Sequence, residues 1–177
     1  MPELIYYVAA SVDGYIATPD GGVEWLNDFG AHGEDYGFRE FYASVQAAWQ
    51  GRFTYQKCLE FGEWPYAGKE SLVFTHAPLI SERRDVRFTA ETPADEMRRA
   101  TREGKHRLWL VGGGGLATAC REAGLISEYI LSVIPVVLGA GIPLFARGGG
   151  FDRLDLYDSR SWPDGVVQMR YRPLSSV

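Results

Sequence analysis

The sequence has few cysteines, few histidines and no surplus of basic residues, and each shortage removes a class of function. The two cysteines, Cys58 and Cys120, stand far apart with no CxxC neighbour. A disulfide framework or a dithiol redox motif is therefore excluded, and two reduced, partly buried thiols in a cytoplasmic protein are expected. The three histidines, His32, His76 and His106, show neither HxxxH nor His–Cys spacing, so no metal site is expected. Eighteen basic against 23 acidic side chains give a net charge of −5. That balance argues against nucleic acid and against anionic membrane as partners. No apolar run approaches the ~20 residues of a membrane span. The N-terminal run Leu4–Ala10 lacks preceding positive charge and is broken by Ser11 and Asp13, unlike a secretory signal.

What is present is enough for a full core. The chain has 177 residues, 46% of them hydrophobic and 14% aromatic, with mean hydropathy −0.17. Neither repeat, low-complexity tract nor linker interrupts it, so residues 1–177 read as a single domain. The 21 glycines exceed the ~7% average and are clustered, marking tight turns and close backbone approaches.

The apolar run Leu4–Ala10 reads as a buried strand, followed by a brief extended segment at Tyr15–Ala17 and a Pro19-Asp20-Gly21-Gly22 turn. The glycine-spaced stretch Trp25–Gly37 reads as a mobile loop. Helices are expected at Glu40–Ala48 and from Gly51 to about Glu60, with a short strand near Ala47–Gln50. Ser71–Thr75, Val86–Thr89 and Arg107–Val111 read as strands. Thr92 as N-cap, Pro93 in the first helical position and the acidic pair Asp95–Glu96 start a helix that stops at Gly104. A further helix is expected over Leu116–Ala123, capped by Gly124, and a strand over Glu128–Leu138. Leu154–Trp162 and Val167–Tyr171 flank Pro163-Asp164-Gly165 as a hairpin, with Val167, Met169 and Tyr171 on one face and Gln168, Arg170 and Arg172 on the other. Strand–helix alternation followed by consecutive strands predicts an α/β domain with a mainly parallel sheet and an antiparallel C-terminal hairpin.

Four segments could carry chemistry. Strand–Gly112-Gly113-Gly114-Gly115–helix lets a phosphate lie against backbone at a helix N-terminus, although no Lys follows as in a P-loop. Gly51-Arg52-Phe53-Thr54 offers a guanidinium and a hydroxyl suited to a phosphate monoester. Ala9-Ala10-Ser11-Val12-Asp13-Gly14 gives small residues at a strand end, where a flat ring can lie close, with Asp13 as a turn acceptor or an acid. Glu34-Asp35 precede a helix, where carboxylates cap but can also relay a proton.

In this order the segments AASVDGYIATPDGGVEWL (Ala9–Leu26), GRFTY (Gly51–Tyr55), LWLVGGGGLA (Leu108–Ala117) and IPVVLGAGIPLF (Ile134–Phe145) resemble the dihydrofolate reductase superfamily. They are most similar to the branch that contains the riboflavin-biosynthesis reductase domain and its small single-domain relatives. The resemblance implies a mostly parallel sheet of about eight strands with four flanking helices, and NADPH as the reductant of a C=N or C=O bond. It implies that Ala10 and Ile16 flank the nicotinamide. Gly51, Arg52 and Thr54 would hold the diphosphate and the 2′-phosphate, and Thr75 and His76 would lie by the adenosine. Val111, Gly112, Gly113, Gly114, Gly115 and Leu116 would cover the pyrophosphate, with a cis peptide between two glycines. The Thr18–Trp25 loop would cover the nicotinamide. The candidate acids are Asp13, Glu34 and Asp35.

The riboflavin branch generally reads D-G-K-I-A and V-E-G-G where this chain has Asp13-Gly14-Tyr15-Ile16-Ala17 and Val111-Gly112-Gly113-Gly114. With that Lys and Glu replaced, the expected substrate is a small, flat, weakly charged heterocycle or carbonyl compound, and poor turnover of both namesake substrates is expected. The alternative is a non-catalytic nucleotide- or flavin-binding module on the same fold. A homodimer is expected, from the resemblance and from the apolar edge that the late strands leave.

Overall fold

The computed structural model describes residues 1–30, 33–77 and 79–174; His32 lies outside them. Ten strands and four helices follow in the order β1 (Glu3–Ser11), β2 (Tyr15–Ala17), α1 (Phe38–Ser44), β3 (Ala47–Gly51), α2 (Arg52–Cys58), β4 (Glu70–Phe74), β5 (Val86–Thr89), α3 (Pro93–Arg102), β6 (Arg107–Gly112), α4 (Gly114–Glu122), β7 (Ile126–Ile134), β8 (Ile142–Pro143), β9 (Leu154–Ser161) and β10 (Val167–Pro173). Eight strands form one sheet in the order β5-β4-β3-β6-β1-β7-β10-β9, and β2 pairs with β8 in a separate two-stranded ribbon. Pairings from β5 across to β7 are parallel, and β10 and β9 close the far side antiparallel. This is the architecture expected from the alternation of elements.

The strands nearest the centre carry apolar residues on both faces, as a sheet covered on both sides must. Leu4, Tyr6, Trp49, Leu72, Leu108 and Leu110 pack with Met97 and Ala100 of α3 and Ala117 and Cys120 of α4. On the opposite face Ile5, Ala48, Trp109 and Ile130 pack with Phe41 of α1 and Cys58 of α2. Both cysteines are buried and unpaired, and burial raises both thiol pKa values, that of Cys120 to about 12.

Element boundaries move where side chains override the local pattern. Helix α1 runs over Phe38–Ser44, not Glu40–Ala48. The Asp35 carboxylate accepts from the backbone N–H of Gly37 and Arg39 at 3.0 and 3.1 Å and starts the helix early. At the other end Val45 is already extended, leading into β3. Helix α4 starts at Gly114, two residues before the apolar pattern begins at Leu116, because a glycine pair gives no helical signature of its own. Strand β7 ends at Ile134, since Pro135 cannot donate to a ladder. In β10, Gln168 is buried and bonded inside the protein while Val167 is exposed.

Candidate functional site

In an open parallel sheet the carboxyl ends of the strands leave a crevice that ligands use. Here a cavity of about 460 Å³ lies at the ends of β1, β3 and β6. Its lining brings together Ile16, Gly51, Arg52, Thr54, Val111, Gly113, Gly114, Gly115 and Leu116, nine of the expected binding positions, from three separate segments of chain. A second cavity of about 320 Å³ adjoins it and shares Val8 and Leu26 as wall residues.

The floor of the first cavity is backbone. The Gly112–Gly113 peptide is cis. Gly113 is the N-cap of α4 with no capping side chain, so the first-turn N–H groups have no side-chain acceptor. A Cβ built on Gly113 would stand 3.5 Å from Thr54 Oγ1 and 3.9 Å from Ile16 Cδ1, an ordinary distance, at a position that lines the cavity. A Cβ on Gly114 would collide with the carbonyl oxygen of Pro143. The two glycines therefore differ. Gly114 is required by packing, whereas Gly113 keeps a cradle open. Arg52 is exposed, and its Nε makes only a 3.4 Å contact with Gln56 Oε1, leaving the guanidinium free to meet an anion.

Other expected positions fall outside the cavity. Ala10 is buried and lines neither space, while its strand neighbours Val8 and Ala9 do. The small β1 residue that lines a cavity is Ala9, in the second one. Gly112 lies buried beneath the floor. Thr75 and His76 follow β4 and do not reach the cavity lining; Thr75 Oγ1 accepts from the N–H of Ala77 at 3.1 Å, and His76 is exposed. Tyr15 lines neither cavity and packs its Cβ against Gly141, so its ring does not set the charge that a substrate meets.

The three candidate acids separate in the same way. Asp13 accepts from the Ser11 hydroxyl at 2.6 Å and from the N–H groups of Leu138 and Gly139 at 3.1 and 2.7 Å. These bonds, that from Ser11 foremost, hold its carboxyl below the usual range. It ties two loops together and lines neither cavity. Glu34 is exposed and accepts from the N–H groups of Asp35 and Tyr36, both at 3.1 Å. Asp35 alone lines the second cavity. The N–H groups of Gly37 and Arg39 hold its carboxyl low, so at neutral pH it is an acceptor and not an acid.

Beside the second cavity lies a polar cluster that the sequence reading missed. Gln168 Nε2 donates to Tyr7 Oη at 3.1 Å, to Ser132 Oγ at 3.1 Å and to the Tyr36 carbonyl at 3.2 Å. Tyr7 and Ser132 both line the cavity. Burial raises the Tyr7 pKa, so its hydroxyl stays protonated at neutral pH. Phe29, Phe38 and Trp109 supply flat apolar walls. The C-terminal hairpin reaches this wall too. Tyr36 Oη bonds the Asp164 carboxylate, and its ring meets Trp162 edge-on at 5.1 Å. These contacts join residues more than a hundred positions apart, and no local pattern announces them.

Comparison with known proteins places this geometry. The model of the RibD C-terminal domain matches residues 66–168. The Bacillus subtilis (strain 168) protein YwjB is 34% identical over 170 residues, covering 96% of this chain and 97% of that protein. YyaP from the same organism is 28% identical over 180 residues, covering 96% and 94%. Among solved structures, a Shewanella sp. PV-4 protein named for riboflavin biosynthesis superposes with a TM-score of 0.88 at 25% identity, covering 97% of this chain and 99% of that one. The Thermotoga maritima diaminohydroxyphosphoribosylaminopyrimidine deaminase/5-amino-6-(5-phosphoribosylamino)uracil reductase shares the fold with a TM-score of 0.73 at 15% identity; this chain spans 57% of it. The chain belongs to the RibD C-terminal domain family and has its dihydrofolate reductase-like fold.

Proposed function

We propose that this protein is an NADPH-dependent reductase that transfers hydride to a small planar substrate. The observation that carries the reading is the first cavity, in which an uncapped helix start, a glycine floor and an unengaged guanidinium converge. The residues present suit a phosphorylated dinucleotide. Gly113 leaves room for a diphosphate against backbone, the α4 N–H groups face it, and Arg52 with Thr54 offers a charged and a neutral donor. Ile16 and Val8 give an apolar surface for a nicotinamide where the two cavities meet. Bound there, the cofactor would supply the hydride.

The substrate ring then belongs in the second cavity. Phe29, Phe38 and Trp109 would hold it flat, Asp35 would accept from a ring N–H, and the protonated Tyr7 hydroxyl would turn from its 3.4 Å contact with the Tyr36 carbonyl to a ring acceptor. Gln168 fixes the Tyr7 oxygen by donating to it.

The namesake heterocycles remain poor substrates in this reading, because no carboxylate in the second cavity is protonated at neutral pH. A positioned acid is typically worth ~10²–10⁴ in rate. The test is a thermal melt with and without NADPH, followed by loss of nicotinamide absorbance with candidate heterocycles and carbonyl compounds. A raised melting temperature with NADPH and oxidation by at least one candidate is expected. Protection without any oxidation across a broad panel favours the binding-module reading, and no protection removes both.

A further inference from the structure

A hydride delivered to a polar double bond leaves negative charge on the heteroatom, and a proton must reach it. Among the described residues that line the second cavity, few groups carry a proton to give. Asp35 is ionised at neutral pH, held so by the N–H groups of Gly37 and Arg39. The Tyr36 hydroxyl bonds the Asp164 carboxylate, and burial, with Asp164 beside it, raises its pKa to about 12. The Trp109 indole N–H donates to the Tyr7 carbonyl at 3.0 Å. Ser132 is an alcohol, a weaker acid than a phenol. Tyr7 is left. Its hydroxyl donates to the Tyr36 carbonyl at 3.4 Å, a long bond that gives way to a better acceptor.

Tyr7 also lines a polar cleft of about 180 Å³ between α1 and the β9–β10 hairpin. It thus stands between a mostly apolar cavity and a cleft in which Arg107, Arg160 and Arg170 face one carboxylate, Glu40. Arg170 and Arg160 make long contacts to carboxylates outside that lining, 3.9 Å to Glu128 and 3.4 Å to Asp158. Gln168, also in the cleft wall, donates from Nε2 to the Tyr7 oxygen at 3.1 Å. Negative charge on that oxygen would meet an N–H and a nearby guanidinium. Burial raises the Tyr7 pKa, and Gln168, Ser132 and Arg170 offset part of the rise.

We propose that Tyr7 is the proton donor of the reduction and that the substrate is a flat ring ketone, not an imine. This assignment rests on the reductase reading above and adds the acid which that reading lacks. As hydride from NADPH forms the new C–H bond at the carbonyl carbon, the C=O π pair moves to oxygen. The Tyr7 O–H bond breaks and its proton goes to that oxygen. The products are an alcohol, NADP⁺ and a tyrosinate, and the tyrosinate takes a proton from water in the cleft. A phenol suits a ketone, because the alkoxide that forms is more basic than tyrosinate. An imine nitrogen is protonated before it accepts hydride, and that takes an acid much stronger than a phenol.

The test compares two flat ketones, isatin and acenaphthenequinone, with two flat imines, quinoxalinone and dihydrofolate. Each is assayed for NADPH oxidation with the wild type and Tyr7→Phe. The variant keeps the ring that meets Phe38 and Phe41 edge-on, and its Tm and NADPH affinity are measured alongside. The wild type should reduce at least one ketone and neither imine. Tyr7→Phe should lower kcat for the ketone by ~10²–10⁴, with KM, Tm and NADPH affinity close to wild type. A second readout needs no turnover. The infrared carbonyl stretch of labelled isatin, bound without nucleotide, should lie lower in the wild type than in Tyr7→Phe and lower than in an aprotic solvent, because a phenol that donates to the oxygen weakens the C=O bond.

The assignment is overturned if Tyr7→Phe reduces the ketones at the wild-type rate, if the imines are reduced and the ketones are not, or if the carbonyl band of bound isatin matches that in aprotic solvent. Each of the first two results removes Tyr7 as donor and leaves the reductase reading standing. If neither ketone nor imine is reduced, the proton-donor role and the reductase reading fall together, even where a lowered carbonyl band shows Tyr7 donating to a bound ketone.

Discussion

Gln50 offers a direct test of how this core is balanced. It is fully buried at the end of β3, between Val73 and Gly112 on the neighbouring strands. Neither its amide nitrogen nor its amide oxygen has a hydrogen-bond partner among the described residues. By strand alternation it shares the face of Ala48, on which Cys58 and Tyr66 pack. Ser71, paired with Ala48 on the adjacent strand, is also fully buried with an unpartnered Oγ. An amide or hydroxyl held away from water without a partner costs about 1–3 kcal/mol on the scale of protein substitutions. Leucine fills nearly the same volume with no polar atom. Gln50→Leu should therefore stabilise the protein by about 1–3 kcal/mol, and in a chain of this length each kcal/mol raises Tm by about 2–4 °C. Urea unfolding followed by tryptophan fluorescence measures the change, with an unchanged slope on denaturant as the sign that the native state alone was altered. A loss of 1 kcal/mol or more in Gln50→Leu would show that the amide is satisfied by groups this account omits.

The remaining expectations concern the glycine floor, acid stability and assembly. Gly114→Ala should cost stability, because its methyl meets the Pro143 carbonyl; Gly113→Ala should melt close to the wild type and lose NADPH affinity, and the reverse pattern would contradict the assignment of the floor. Glu96, which is 3% exposed, accepts from Arg87 at 2.9 and 2.6 Å and from Thr89 at 2.6 Å. Arg87 first, then Thr89, hold its pKa below the ordinary value of 4.5. Its folded pKa is depressed, so its contribution is present above about pH 4.5 and is lost as pH falls through the folded value. Glu96→Gln should flatten the acid limb of a Tm–pH profile, and an unchanged limb would refute the role given to this pair. Strand β9 forms one edge of the large sheet with Leu154, Leu156 and Tyr157 exposed, so light scattering should give twice 19.7 kDa; a monomer at micromolar concentration refutes the dimer.

Much of the frame is legible in the chain because it is written in local patterns. The apolar runs LIYYVAA, SLVFT and RLWLV become β1, β4 and β6, and the Pro163-Asp164-Gly165 turn closes the β9–β10 hairpin. Thr92 accepts from the Asp95 N–H with Pro93 in the first turn, as its helix-start pattern implies. The glycine-rich segments that line the first cavity are equally visible, because glycine runs and Gly-Arg-x-Thr are rare local signals. What stayed hidden depends on register and on distance. Ala9 and Ala10 are indistinguishable by composition, and only the folded chain shows that Ala9 lines the second cavity and Ala10 neither. Asp13 and Asp35 read equally well as acids or caps until their N–H donors are in place. Gln168 looks like a solvent-facing residue of an edge hairpin, yet it is drawn inward by Tyr7, Ser132 and Tyr36, which no window of sequence contains together.

The central claim is that the first cavity holds NADPH through Arg52. Calorimetric titration of NADPH and NADH into the wild type and Arg52→Ala tests it most directly. A charged hydrogen bond to the 2′-phosphate contributes about 1.5–3 kcal/mol, and exposure of the guanidinium places the effect at the lower end. The account predicts that the wild type binds NADPH about tenfold more tightly than NADH, and that Arg52→Ala loses this preference while its NADH affinity is unchanged. Equal affinity of the wild type for the two cofactors, or a preference that survives in Arg52→Ala, would contradict it.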